Sequence, residues 1–247
     1  LPEKRAHSAF APHQIVAQRR GGRGDAVRAD AGNVFVIVAA VAALGVLLLA
    51  TAMERTPAPT TGVGDEIRTL LRAPVLLAVA TTTIGFAGVG VVFTYLVPLL
   101  SEVTGIAAGT IPGLLLAYGI GGFIGNLVAG RLTDLSPAGT LVGVFLALIL
   151  TLAAFPLLAA RPAAMIGAVL VLGLLSTATI APLQSLVLRR AGAAPTLSLA
   201  VNVGAFNLAN AMGAVVGGIG VSANLLRFNG VAGAIFAAMG VGMVALV

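Results

Sequence analysis

Seven apolar stretches, each free of Asp, Glu, Lys, Arg and His, make up most of the chain after residue 33. They are Val34–Met53, Val75–Leu100, Thr110–Gly130, Thr140–Ala160, Ala163–Leu188, Thr196–Ser222 and Gly230–Val247. Each has the roughly 17–25 residues that an α-helix needs to cross a bilayer, or slightly more. The pattern predicts an all-α, polytopic membrane protein with seven transmembrane helices.

Polar side chains inside these stretches follow a repeating order. The second, third, fifth and sixth stretches contain several hydroxyl, phenol or amide groups, whereas the fourth has only Thr140 and Thr151 and the seventh has none. Amides and clustered hydroxyls are costly against lipid and usually face a bundle interior or a wet cavity. The last six stretches therefore predict a three-plus-three repeat, an architecture found in many secondary transporters. We expect the fourth and seventh stretches, and the first, to face lipid.

The chain is expected to divide into four segments. Residues 1–33 have scattered Arg and no apolar periodicity, which predicts a basic segment that is disordered, lipid-binding or non-native. Residues 34–53 form a lone transmembrane helix, and residues 54–74 form a loop that becomes amphipathic at Asp65–Arg72. Residues 75–247 form a six-helix membrane bundle.

Charge is scarce, and its location matters more than its sum. The formal net charge is +6, but six of the fourteen basic residues lie within residues 1–33 and the others lie in loops. If the 54–74 loop is cytoplasmic, that side carries six loop arginines and the opposite side only Arg161 and Arg227, as the positive-inside rule requires. This distribution argues against a nucleic-acid partner. The absence of Cys excludes disulfides and thiolate metal sites, and we expect no metal and no cofactor.

Three stretches contain motifs that suit helices which move against each other. In the second, Pro98 removes a backbone hydrogen bond and lets the helix bend, and in the fifth Pro182 does the same. Small residues at helical spacing predict close helix contacts in the third and sixth stretches. Arg131 and Asp134, one helical turn apart just after the third stretch, can form an ion pair. The predicted packing and conformational residues are Pro98, Gly121, Gly125, Gly130, Arg131, Asp134, Gly213 and Gly217.

Polar residues within the stretches give a candidate substrate cavity. The sixth stretch has three amides, more than helix–helix contacts usually need. The predicted lining residues are Thr81, Tyr95, Tyr118, Gln184, Asn202, Asn207 and Asn210. Each of these positions could equally serve helix packing, and that alternative stays open at the level of sequence.

Three segments together resemble the C-terminal half of the major facilitator superfamily. They are Phe-Thr-Tyr-Leu-Val-Pro-Leu-Leu at 93–100, Gly-Gly-Phe-Ile-Gly-Asn-Leu-Val-Ala-Gly-Arg-Leu-Thr-Asp at 121–134 and Ala-Phe-Asn-Leu-Ala-Asn-Ala-Met-Gly-Ala-Val-Val-Gly-Gly at 205–218. Within that family they resemble bacterial drug–proton antiporters of the arabinose-efflux and chloramphenicol-efflux type. The resemblance covers about residues 32–247 and implies that the first stretch is similar to the family's sixth helix and the others to its seventh through twelfth. Residues 54–74 would then be the central cytoplasmic loop.

The resemblance implies an integral, multi-pass protein of the bacterial cytoplasmic membrane that exports a small drug-like or sugar-like solute with coupled protons. Its partners would be the lipid bilayer, the solute and protons. Two features depart from the family. The first five helices are absent, and the loop after Asp134 lacks the usual basic residues. We therefore expect an incomplete chain that needs a missing N-terminal half and does not transport alone.

Other function classes leave specific traces in a sequence. An inert truncated fragment and an assembly partner of a separately encoded half both remain open, as does a seven-helix ligand receptor. A retinal protein needs a Lys inside the bundle, and the only Lys is Lys4. An intramembrane enzyme needs His, Asp, Glu or Cys at depth, and the stretches have none, so we expect no enzymatic activity.

Overall fold

The computed structural model describes residues 36, 38–48, 50–51, 62–192 and 194–247. The chain splits into two units, Leu1–Pro59 and Thr60–Val247. In the first unit the described residues form one apolar helix, α1, at Val38–Leu48. The basic segment predicted at residues 1–33 lies outside the described residues, as do parts of the first predicted span and of the 54–74 loop.

Within the described residues the second unit consists of helices joined by turns and short loops, with no strand. Its elements are α2 (Val63–Leu70), α3 (Ala73–Phe93), α4 (Leu96–Pro98), a π-helical turn (Leu99–Val103), α5 (Ile111–Leu135), α6 (Pro137–Leu158), α7 (Pro162–Ala178), α8 (Ile180–Arg190), α9 (Pro195–Ser222), a 3₁₀ turn (Leu226–Phe228) and α10 (Asn229–Val244). The amphipathic stretch Asp65–Arg72 overlaps α2, which begins two residues earlier and ends at Leu70.

Six helical segments of the described residues are long and apolar enough to cross a membrane. They are Ala73–Phe93, Ile111–Leu135, Pro137–Leu158, Pro162–Arg190, Pro195–Ser222 and Leu226–Val244. They confirm the last six predicted spans, while α1 is a shorter helix within the first. Five of the six begin with Pro in the first turn, where the missing N–H breaks no hydrogen bond and the fixed φ suits a helix.

Two spans are interrupted where proline predicted a bend. The second predicted span stops being α-helical at Thr94 and Tyr95 and continues past Pro98 as a π-helical turn. The fifth breaks at Thr179, three residues before Pro182, so that α7 and α8 form one interrupted span. Proline has no N–H to give and its ring crowds the preceding turn, which explains both breaks.

The closest helix pairs follow a two-fold pattern. The first span of the bundle, α3, packs along the fifth, α9, and the second span, α5, packs along the fourth at α7. α10 contacts both α3 and α6. The first helix of each three-helix repeat therefore packs against the second helix of the other repeat. This pairing fits the predicted three-plus-three bundle.

The core lies mainly under α6, whose inner face buries Leu141, Phe145, Leu148, Leu152 and Phe155 completely. The outer faces of α6 and α10 are apolar. Their exposed large residues are Leu146, Leu150, Leu157, Val231, Ile235 and Met239. Such surfaces suit lipid, as expected for the fourth and seventh spans.

Candidate functional site

The contact between α3 and α9 is built on glycine. A Cβ placed on Gly213 would lie 2.6 Å from the carbonyl carbon of Gly90, and one on Gly217 would lie 2.7 Å from the carbonyl oxygen of Val91. The Tyr95 hydroxyl donates a hydrogen bond to the carbonyl oxygen of Ala214 (3.0 Å). Gly213 and Gly217 therefore pack closely as predicted by their spacing, and Tyr95 belongs to the same contact.

The contact between α5 and α7 has the same construction. A Cβ on Gly121 would lie 2.9 Å from the Leu170 carbonyl oxygen, and one on Gly125 would overlap the backbone of Leu174. Hydroxyl groups cross this contact: the oxygens of Tyr118 and Ser176 are 2.7 Å apart, and the Thr177 hydroxyl donates to the Gly122 carbonyl oxygen at 2.5 Å. Tyr118, predicted to line a cavity, is half-buried and already has a partner on α7.

The C-terminal end of α5 differs from the part that carries Gly121 and Gly125. A Cβ on Gly130 would meet nothing within 4 Å, so this glycine allows no close contact in the second unit. Arg131 and Asp134 are both exposed, and within the described residues neither forms an ion pair. The two charges are thus available to other contacts at this end of the bundle.

Exposed amides mark α5 and α9. Asn207 and Asn210 lie near the middle of α9 and Asn126 near the middle of α5, and all three are exposed. The Asn207 amide nitrogen donates to the Val203 carbonyl oxygen of its own helix (3.1 Å), a bond that leaves its carbonyl oxygen available. These amides contrast with the apolar outer faces of α6 and α10.

The other predicted lining residues are less accessible. Thr81 is buried and donates to the Leu77 carbonyl oxygen (2.8 Å), while Gln184 is half-buried on α8. Asn202 is 1% exposed, and neither of its amide atoms has a hydrogen-bond partner within the described residues; the same holds for the hydroxyl of buried Ser198. Of the seven candidates, only Asn207 and Asn210 are exposed.

Two aromatic contacts were not predicted from sequence. Phe86 on α3 meets Phe206 on α9 edge to face, with ring centroids 4.9 Å apart, and Phe93 meets Tyr118 with centroids 5.1 Å apart. Such pairs stabilise packing beyond the area they bury. Phe86 and Phe93 are seven residues apart on one helix face, which is the signal that the sequence offers.

What this arrangement can do chemically is limited by its residues. Within the described residues no three His, Cys, Asp or Glu lie together in a way that could hold a metal ion. The large side chains exposed on α5 and α9 are apolar. The polar side chains exposed near the middle of these two helices are amides, which donate and accept hydrogen bonds without changing charge. They suit recognition of a polar group on a neutral or amphipathic solute.

Known proteins with similar sequences are membrane transporters. The chain is 37% identical over 205 residues to the inner membrane transport protein YdhP of Escherichia coli K12, an alignment of 81% of this chain and 53% of that protein. It is 36% identical over 224 residues to the MFS-type transporter YfhI of Bacillus subtilis, covering 88% of this chain and 56% of the relative. It is also 34% identical over 177 residues to a chloramphenicol resistance protein of Streptomyces lividans, covering 71% and 45%.

The chain thus spans about half the length of the relatives that it matches. The sequence profile of the Major Facilitator Superfamily matches residues 28–218. Together with the six membrane-spanning segments and their paired repeats, this match identifies the chain as a member of the major facilitator superfamily of integral membrane transporters.

Proposed function

We propose that the chain is the C-terminal half, with one preceding helix, of a proton-coupled exporter of a small drug-like or sugar-like solute. In this proposal residues 34–53 correspond to the family's sixth helix, residues 54–74 to its central cytoplasmic loop and residues 75–247 to its second six-helix bundle. The protein would reside in the bacterial cytoplasmic membrane. The similarity to a chloramphenicol resistance protein supports a drug-like solute, because export that lowers the concentration of a drug in the cell would confer resistance to it.

One observation carries the proposal: two exposed amides, Asn207 and Asn210, lie at the middle of α9, whose large exposed side chains are apolar. An exposed amide at that depth would be costly against hydrocarbon. The faces of α9 and α5 that carry amides therefore suit a water-filled path or a protein partner. In a transporter of two halves, solute binds at the midplane between them.

The two glycine-lined contacts supply a means of movement. α3–α9 and α5–α7 meet largely through small residues and few side-chain hydrogen bonds, so the helix pairs can move as rigid units. The interruption at Tyr95 follows the C-terminal end of α3, and the interruption at Thr179 precedes the N-terminal end of α8. Each interruption lets the two parts of its span bend relative to each other. We assign Pro98, Arg131 and Asp134 to conformational roles at the two ends of the bundle.

Proton coupling would depend on the other half. The six spans have no Asp, Glu or His between their ends, so the acid that takes up the proton would come from a missing N-terminal half. The chain alone then has half of a cavity and no coupling group. We expect no solute-dependent proton flux in vesicles that contain only this chain.

The accessibility of introduced cysteines tests whether the exposed amide positions of α9 face water. The protein has no Cys, so single substitutions Asn207→Cys, Asn210→Cys and Leu150→Cys can be labelled without background. Thiolate chemistry needs water, so a membrane-impermeant maleimide should modify the two α9 variants in membranes and leave the α6 variant unmodified. Equal protection of all three positions from the reagent would contradict a water-filled path along α9.

A reconstitution experiment then tests transport. Cells that lack endogenous exporters would express this chain alone, or with a separately encoded N-terminal half of a family member, and chloramphenicol accumulation would be measured. We expect reduced accumulation only in the two-chain strain. Proton flux driven by solute in vesicles of this chain alone would overturn the proposal of half a transporter.

A further inference from the structure

A basic cavity of about 340 Å³ opens at the cytoplasmic end of the second unit. It is lined by Arg189 and Arg190, which end α8, and by Ser136, Pro137 and Ala138 at the start of α6; apolar residues at its edges are Leu135, Leu186, Val244 and Val247. Both arginine side chains are exposed, and Arg190 donates a hydrogen bond to the main-chain oxygen of Val247, which also lines the cavity. The side chains that line the cavity include two guanidinium groups and no carboxylate.

Beside it lies a larger apolar cavity of about 470 Å³, enclosed by α5, α6 and α7. One wall is formed by Gly139, Gly143 and Ala147, which follow each other at intervals of four residues on α6. The two glycines leave open space: a Cβ on Gly143 would meet nothing within 4 Å, and one on Gly139 would meet only the side chain of Ser136. The cavity exists because α5 packs along α7 and leaves α6, its neighbour in sequence, at a distance.

The two cavities share Leu135 and Ser136 in their linings. Together they form one amphipathic groove, basic at the cytoplasmic end and apolar toward the middle of the membrane. Basic pockets between transmembrane helices on the cytoplasmic side suit the phosphate groups of anionic lipids. Guanidinium groups match phosphate oxygens through paired hydrogen bonds.

We propose that this groove, which we call the Arg189–Gly143 groove, binds one anionic glycerophospholipid. The lipid phosphate lies between Arg189 and Arg190, and one acyl chain lies in the apolar cavity against Gly139, Gly143 and Ala147. The proposal concerns a bound lipid and does not depend on the transported solute. The Ser136 hydroxyl, which accepts the Gly139 N–H (3.1 Å), lies where headgroup and chain would meet.

Headgroup charge, more than the apolar cavity, must provide the selectivity. In a membrane an acyl chain leaves one apolar environment for another, so cavity filling gives little gain over bulk lipid. Each basic residue near an anionic headgroup contributes a factor of about five in affinity. Two arginines then distinguish an anionic from a zwitterionic lipid by about 30-fold.

Lipid titration of the purified full chain in a nonionic detergent, followed by native mass spectrometry, tests the proposal. The probes are phosphatidylglycerol, phosphatidylcholine and inorganic phosphate. The wild type should bind one phosphatidylglycerol about 30-fold more tightly than phosphatidylcholine. The double variant Arg189→Gln/Arg190→Gln should lose that preference, and Gly143→Leu should weaken phosphatidylglycerol binding because its side chain enters the acyl site.

Matched controls separate a site from general surface effects. Arg72→Gln removes an exposed arginine on the same side of the membrane, and Gly167→Leu fills open space on α7; neither residue lines the groove. Both should retain the wild-type preference within twofold.

Several outcomes would overturn the proposal. Equal affinity for phosphatidylglycerol and phosphatidylcholine would show that the arginines do not distinguish anionic from zwitterionic headgroups. Displacement of phosphatidylglycerol by millimolar inorganic phosphate would assign the site to free phosphate. If Gly143→Leu binds lipid as the wild type does, the apolar cavity is filled by another protein segment or left unused. Should Gly143→Leu fail to fold, Gly143→Ala and the arginine variants still decide between these results.

Discussion

The Tyr95 hydroxyl donates a hydrogen bond to the carbonyl oxygen of Ala214, across the contact between α3 and α9 (3.0 Å). The tyrosine ring lies against Gly217, where a Cβ would come within 2.7 Å of it. The bond joins the point at which α3 loses its helical geometry to the C-terminal half of α9. A residue predicted to line a cavity thus also fixes two helices.

Tyr95→Phe should lower stability modestly, because the ring still fills its place while the hydrogen bond is lost. Side-chain hydrogen bonds between membrane helices average roughly 0.6 kcal/mol and reach about 1.7 kcal/mol. Gly217→Val should be much more damaging, since its side chain overlaps both the ring and the Val91 carbonyl oxygen. Thermal unfolding in detergent, followed by circular dichroism, would measure both. If Tyr95→Phe were as damaging as Gly217→Val, the phenol would have a further role in packing.

Glycines on α5 should differ sharply in their tolerance of a methyl group. Gly125→Ala places its Cβ into the backbone of Leu174 and should cost about 3 kcal/mol or more, because a backbone cannot move aside as a side chain can. Gly130→Ala meets open space and should be neutral or stabilising by about 0.5 kcal/mol through helix propensity. The same unfolding assay compares the two variants. Equal destabilisation would mean that a protein segment also packs against Gly130.

The sequence predicted the spans well because crossing a bilayer imposes strong limits on length and charge. The absence of charge within each stretch was sufficient to place the six spans of the bundle, and prolines at 98 and 182 marked both interruptions. The small-residue stripes were equally informative at Gly125 and Gly213. Helical spacing alone determines which residues share a face.

The role of individual polar residues could not be predicted in the same way. A polar side chain in a membrane helix must avoid lipid, but sequence does not say whether it turns to a neighbouring helix or to a cavity. Tyr118 turned out to contact Ser176, whereas Asn207 is exposed. Gly130 belonged to the predicted packing motif, yet a Cβ there would meet nothing within 4 Å, whereas the adjacent Ala129 is 1% exposed. These distinctions depend on helix rotation, which packing of the whole bundle sets.

Asn202→Leu should stabilise the protein. Neither amide atom of this buried side chain has a partner within the described residues, and an unsatisfied buried polar group costs about 1–3 kcal/mol. Leucine has a similar volume and no polar atoms, so unfolding should require a higher temperature. The matched control is Asn229→Leu: Asn229 is also buried, but its amide nitrogen donates to the Gly217 carbonyl oxygen (3.1 Å), and its loss should be destabilising. Destabilisation by Asn202→Leu as well would show that Asn202 has a polar partner in the membrane.

Asn207→Ala and Asn210→Ala should reduce transport in a strain that expresses this chain together with an N-terminal half. If each amide makes one hydrogen bond to solute, its removal costs about 0.5–1.5 kcal/mol, which corresponds to a roughly 2- to 13-fold loss of affinity. Stability should change by no more than about 0.5 kcal/mol, because both residues are exposed and Asn207 bonds only within its own helix.

Ser222→Ala is the control, since Ser222 is an exposed polar residue at the end of the same helix and bonds to the Gly218 carbonyl oxygen. Concentration-dependent uptake into inverted vesicles would separate a raised KM from a lowered maximal rate. Unchanged transport in both asparagine variants, with the control equally active, would remove these amides from the solute path.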